Sequence, residues 1–154
     1  MKRRIPQRGH AMLELALSAG VMASCLAGTF QFGYTFYVYN QLVNAVGNGA
    51  RYAAQRTYRA ATPKDVERGN DAIRNMVVYA ETQPTPGNTP VVAGLKPENV
   101  DVQWTLTGDG KPSSVHVTIK GYTVGAVFRS VSISGRPSVV FPYVGRYAPG
   151  ESEQ

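Results

Sequence analysis

The chain has 154 residues, 43 % of them hydrophobic and only 17 % charged, against about 25 % charged in an ordinary globular domain. That is about one domain's worth of chain, too apolar for a disordered tail, and its single cysteine, Cys25, excludes an internal disulfide scaffold. The formal charge of +6 suggests nucleic acid until it is located: Lys2, Arg3, Arg4 and Arg8 supply four of the sixteen positives, and the chain beyond them is left at about +2.

The basic leader, residues 1–9, runs into a segment without a charged residue from Leu15 to Ala50. Twenty helical residues span about 30 Å, the thickness of a bilayer's hydrocarbon core. The stretch 11–30 has that length and carries one charge, Glu14. Phe30, Phe32, Tyr34, Phe36, Tyr37 and Tyr39 follow as an aromatic patch, the composition of a membrane–water interface. With the cations on the other side, the positive-inside rule predicts a cytoplasmic N-terminus and an outer C-terminal region. Beyond the patch, Val38, Leu42, Ala45 and Tyr52 keep helical spacing, while Gln41, Asn44, Asn48, Arg51 and Gln55 form a polar stripe. One helix over residues 10–58 is expected, apolar first and amphipathic later. Gly47 and Gly49 weaken it by about 1 kcal/mol each.

Three features of the apolar half stand out. Glu14 either snorkels to the cytoplasmic edge or needs a buried cationic partner, since a mid-membrane carboxylate costs about 2.5–3.5 kcal/mol. Ala16, Gly20, Ser24 and Gly28 recur every four residues, a ridge of small side chains that lets a second helix approach closely. Cys25 reads as a small buried apolar side chain.

The leader ends in Gly9, followed by His10-Ala11-Met12-Leu13-Glu14. This resembles the processing site of type IV pilin-like proteins, cut after Gly with Glu as the fifth mature residue. Glu14-Leu15-Ala16-Leu17, Phe32-Gly33-Tyr34-Thr35-Phe36-Tyr37 and Asn44-Ala45 through Gly49-Ala50-Arg51-Tyr52-Ala53-Ala54 resemble the TadE-like family, pseudopilins of the tight-adherence (Flp) pilus apparatus. The resemblance implies cleavage by a prepilin peptidase between Gly9 and His10. It also implies pairing of Glu14 with a neighbour's new N-terminal ammonium, which would neutralise both charges in a low-dielectric bundle. The implied partners are other pilin or pseudopilin subunits, the inner-membrane Tad platform and membrane lipid, with no nucleic acid. Leu15 stands where the family usually has an aromatic. A competing resemblance lies at Met22-Ala23-Ser24-Cys25, similar to the lipobox where a lipoprotein is cut and acylated. An unprocessed single-pass anchor is the third reading.

Beyond residue 58 the pattern changes. Thr62 as N-cap, Pro63 at the first helical position and Asp65 at the capping-box position open a second helix over 63–80. Its apolar face is Val66, Ile73, Val77 and Ala80. Four prolines make 81–97 a loop. Val100, Val102, Trp104 and Leu106 alternate with polar residues, a turn spans Gly108–Pro112, and Val115, Val117 and Ile119 alternate again. Further strands are expected over Val127–Ser134 and Ser138–Tyr143. The fold class is therefore α+β and pilin-like: a long N-terminal helix and a short second one packed on a three- to four-stranded antiparallel sheet. The expected divisions are 1–9, 10–58, an extracytoplasmic domain over 59–150, and a tail at 151–154.

Catalytic chemistry is not expected. His116 shares the solvated strand face with Ser114 and Thr118, and strand and turn positions explain Asp101 and Asp109. Neither metal ligands at zinc spacing nor a nucleophile or phosphate-loop motif is present. The reading is a structural protein without cofactor or metal.

Overall fold

The computed structural model describes residues 8–59, 62–125 and 129–148. The leader cations Lys2, Arg3 and Arg4 and the tail at 151–154 lie outside them. One helix, α1 (Arg8–Gln55), runs 48 residues without a break, about 72 Å at 1.5 Å per residue. Its second half is the spine of the head. Val38, Leu42, Ala45, Val46, Ala50, Ala53 and Ala54 are buried on one side, while Asn44, Asn48, Arg51 and Gln55 stay exposed on the other. The polar stripe expected from spacing is therefore the solvent face.

The helix ends at Gln55, three residues before its expected end, because the next residues find partners elsewhere. Tyr58–Arg59 form β1, which pairs in parallel with β7 (Tyr147–Ala148). Val144 donates its N–H to the Ala54 carbonyl at 3.0 Å, and Tyr58 donates its own to Arg146 at 2.9 Å. The Tyr143 hydroxyl accepts a second contact from the Tyr58 N–H and lies 2.8 Å from the Arg56 carbonyl. Gly145 is needed here, because a Cβ at that position would run into the Arg56 carbonyl oxygen. The rings of Tyr58, Trp104 and Tyr143 cluster around the exit, Trp104 tilted against Tyr58 and edge-on to Tyr143, with centroids 4.8 and 5.9 Å apart.

The second helix, α2 (Pro63–Tyr79), starts where its capping residues place it. The Thr62 hydroxyl oxygen accepts from the Asp65 N–H at 3.2 Å and donates to the Asp65 carboxylate at 2.8 Å. It stops at Ala80, which takes a left-handed conformation and is exposed rather than part of the apolar face. Ile73, Val77 and Val78 are buried, and Val66 is half-buried. Asn70 is buried too, its side-chain oxygen accepting from the Trp104 indole N–H at 2.9 Å. The two helices meet at Gly49. A Cβ there would collide with Cγ2 of Val77, so the residue that weakens α1 as a helix is the one that lets α2 dock.

The main sheet is antiparallel with order β2-β3-β6, formed by Val100–Leu106, Pro112–Ile119 and Ser138–Pro142. Register pairs Val102 with Val117 and Val117 with Val139, which puts Val115, Val117 and Ile119 on the face covered by the helices. Loop residues Val92 and Leu95 complete the core. A short 3-10 turn, Pro97–Asn99, leads into β2.

Two strand expectations change. Tyr122–Val124 form β4, which periodicity did not mark, and only Val131–Ile133 (β5) is strand within the segment expected at Val127–Ser134. Val127 and Phe128 lie outside the described residues. These two strands pair with each other and not with the main sheet. The physical reason is the turn after Ile119: the Asn99 side chain donates to the Lys120 and Gly121 carbonyls, both at 3.1 Å, and redirects the chain. Tyr122 and Val124 then enter the core beside the helices.

Candidate functional site

The large apolar side chains of the first half of α1 are exposed among the described residues. Met12, Leu13, Leu15, Leu17, Met22 and Leu26 are each about 70 % exposed or more. A helix of this length and composition is long and apolar enough to cross a membrane. The head first reaches it at Gln31, whose side-chain amide donates to the Arg129 carbonyl at 2.9 Å. From Gly9 to Phe30 the free stretch is about 33 Å long, close to the hydrocarbon thickness. Two hydroxyls within it are satisfied locally. The Ser24 hydroxyl donates to the Gly20 carbonyl at 2.8 Å and the Thr29 hydroxyl to the Cys25 carbonyl at 2.9 Å, as a low-dielectric surrounding demands.

The aromatic patch divides between two duties. Phe30, Phe32, Phe36 and Tyr37 are exposed, Phe32 to 76 %. Tyr34 is 40 % exposed and Tyr39 half-buried, because both sit where the head begins. Burial holds the Tyr122 phenol above its usual range, with the neighbouring Tyr34 adding to the effect.

Ala16, Gly20, Ser24 and Gly28 form one ridge. At about 100° per residue each step drifts by roughly 40°, so the four remain on one side. Continued upward, that side becomes the stripe Gln31, Thr35, Val38 and Leu42 that the head covers. No other atom lies within 4 Å of a Cβ built at Gly20 or Gly28. The ridge is therefore an open extension of the same face that packs in the head. Glu14 lies off this face, on the flank shared with Val21, Cys25 and Phe32. It is exposed, and none of the four ion pairs among the described residues includes it. The structure thus separates two features that the sequence presents side by side. Gly9 and His10, the expected processing pair, stand in the first turn of α1, both exposed.

Other candidate groups have structural duties. His116 is half-buried rather than solvated, with Nε2 against the Ser138 hydroxyl and 3.1 Å from that of Thr118. The cause is β6, whose pairing sets Ser138 opposite Thr118. Asp101 is held by Lys120 at 2.8 Å and by the Gln103 amide, while Asp109 is exposed at the turn.

Among the described residues one helix is long and apolar enough to cross a bilayer, exposed along its first half and carrying an α+β head on its second, the architecture of an anchored-head class of protein. Residues 9–51 match the family model described as TadE-like protein, the same segment that carries the resemblance in the sequence. The match covers the bare half of α1 and most of its buried half, and points to a pilus-associated protein with an N-terminal apolar helix. No curated protein and no solved structure matches the chain.

Proposed function

We propose that this chain is a minor pseudopilin or assembly subunit of a Tad/Flp-type pilus or secretion machine. It is made with its N-terminus in the cytoplasm, cut by a prepilin peptidase between Gly9 and His10, and held in the bacterial inner membrane by α1. The head then lies in the periplasm or outside the cell. It works by packing rather than by chemistry, through its small-residue ridge and through Glu14 opposite the ammonium of a neighbouring subunit. The observation that carries this reading is the bare apolar half of α1, with one carboxylate near its start, inside the segment that matches the TadE-like family. The lipoprotein alternative gains no support: α1 continues through Met22-Ala23-Ser24-Cys25 into the head, where a lipoprotein would have a polar tether.

The decisive measurement is the mass of the protein extracted from its native membranes, with N-terminal peptide mapping. A chain that begins at His10 is expected. An acylated Cys25 as the first residue, or an intact leader where an active prepilin peptidase is present, overturns the reading. Glu14→Leu should leave membrane insertion intact and reduce co-purification with the other subunits by about tenfold or more, the loss expected when one charge of a buried pair is removed. Equal recovery of both forms would sink the assigned role of Glu14.

A further inference from the structure

A second feature lies at the opposite end of α1. Where the helix stops and α2 begins, a cleft of about 350 Å³ is lined by Tyr52, Arg56, Thr57, Arg59, Asp65 and Arg68. Three arginines, Arg56, Arg59 and Arg68, line it against a single carboxylate residue, Asp65. That carboxylate is already engaged, accepting from the Thr62 hydroxyl at 2.8 Å and meeting Arg68 only at 3.5 Å. Arg56 is fixed in place, donating to the Gly69 carbonyl and resting 5.7 Å from the centroid of the Tyr52 ring. Arg59 is exposed and enters no ion pair among the described residues, and the Arg68 side chain is 81 % exposed. Arg56 and Arg68 each have a contact within the fold, but Arg59 has no ion-pair partner among the described residues, and like charges around one concavity repel. An arriving oxyanion would relieve the repulsion and accept the bidentate contacts that planar guanidinium groups supply.

Size, shape and position narrow the ligand. A volume of 350 Å³ is at the small end of ligand pockets, roughly 300–1,000 Å³, with room for one ring-sized group. A nucleic-acid backbone is gripped by cations strung along successive phosphates, whereas these three line a single concavity. The membrane holding α1 is distant, because Gln55 lies about 45 Å along the helix from Leu26.

We propose that this cleft binds a single carboxylate- or phosphate-bearing group about the size of one sugar ring, presented from outside the membrane. This goes beyond the pseudopilin reading and stands whether or not the leader is cut. The test is calorimetric titration of the full chain, in nanodiscs of zwitterionic lipid, with galacturonate, with inorganic phosphate and with galactose as the neutral control. One site per chain for galacturonate or phosphate is expected, with galactose inert. The double variant Arg59→Gln/Arg68→Gln should weaken binding at least tenfold while keeping the wild-type unfolding temperature. Galacturonate binding tighter than phosphate assigns the site to an acidic sugar, and the reverse order to a phosphate ester. The proposal fails if neither anion binds, if galactose binds as well as galacturonate, or if the double variant binds like wild type. It also fails if only anionic vesicles or an oligonucleotide saturate the protein.

Discussion

The two halves of α1 belong to one uninterrupted helix and share one uncharged run, yet they meet opposite fates. Between Met12 and Leu26 bulky side chains point in every direction, and all are exposed. Between Val38 and Ala54 one side is built from small residues, Ala45, Gly49, Ala50, Ala53 and Ala54, and that side is buried. Hydrophobicity alone does not distinguish them. The upper half is narrow on one side, so α2 and the sheet can approach its backbone, and polar on the other, so water can cover the remainder. The lower half is apolar nearly all round, which suits it to lipid and, along the ridge of small residues from Ala16 to Gly28, to another helix.

The sharpest way to break this contrast is a matched pair of truncations. Leu42→Ala should destabilise the head by about 2–5 kcal/mol, the range for a fully buried leucine. Leu17→Ala should leave it unchanged within about 0.5 kcal/mol. Denaturant unfolding followed by the fluorescence of Trp104, the sole tryptophan, reads both, and similar losses from the two would erase the distinction. Next in size comes Gly49→Ala. It should improve α1 as an isolated helix and still cost the head about 1–3 kcal/mol by overpacking against Val77. A gain in stability would show that α1 and α2 do not cross as closely as described. The smallest effect is expected from Thr62→Ala. Loss of the α2 cap should cost about 1 kcal/mol, visible as a lower unfolding midpoint with no change in membrane insertion. An unchanged midpoint would mean that α2 is held by its packing alone.

Much of the architecture is legible wherever one period dominates. The alternation at Val100–Leu106 and Val115–Ile119 yields β2 and β3, and Thr62-Pro63 marks the start of α2. Elements made by distant partners carry no such period. β1 is two residues long and exists because Tyr58 meets Tyr147, 89 positions later. β4 depends on the Asn99 side chain turning the chain at Gly121. For the site, the residues of the apolar helix are all visible in the sequence. What is not visible is that the side carrying the ridge continues into the stripe that the head buries at Val38 and Leu42. The arginine cleft is hidden as well, because Arg56, Arg59 and Arg68 come together only once α1 ends and α2 folds back beside it.

The fastening at the far end of α1 has a mechanical meaning. The carbonyls of Ala54 and Arg56 are gripped by Val144 and Tyr143, from the last part of the described chain. Tension applied along the helix from its N-terminal side therefore loads the packed side chains from Val38 onward and, at the far end, is shared with strands that come last in sequence. Seven core side chains ride on the same rod, from Val38 to Ala54, so the head cannot slide off its anchor without losing its interior. A force on the stem is therefore passed to the core and to the last strands of the head.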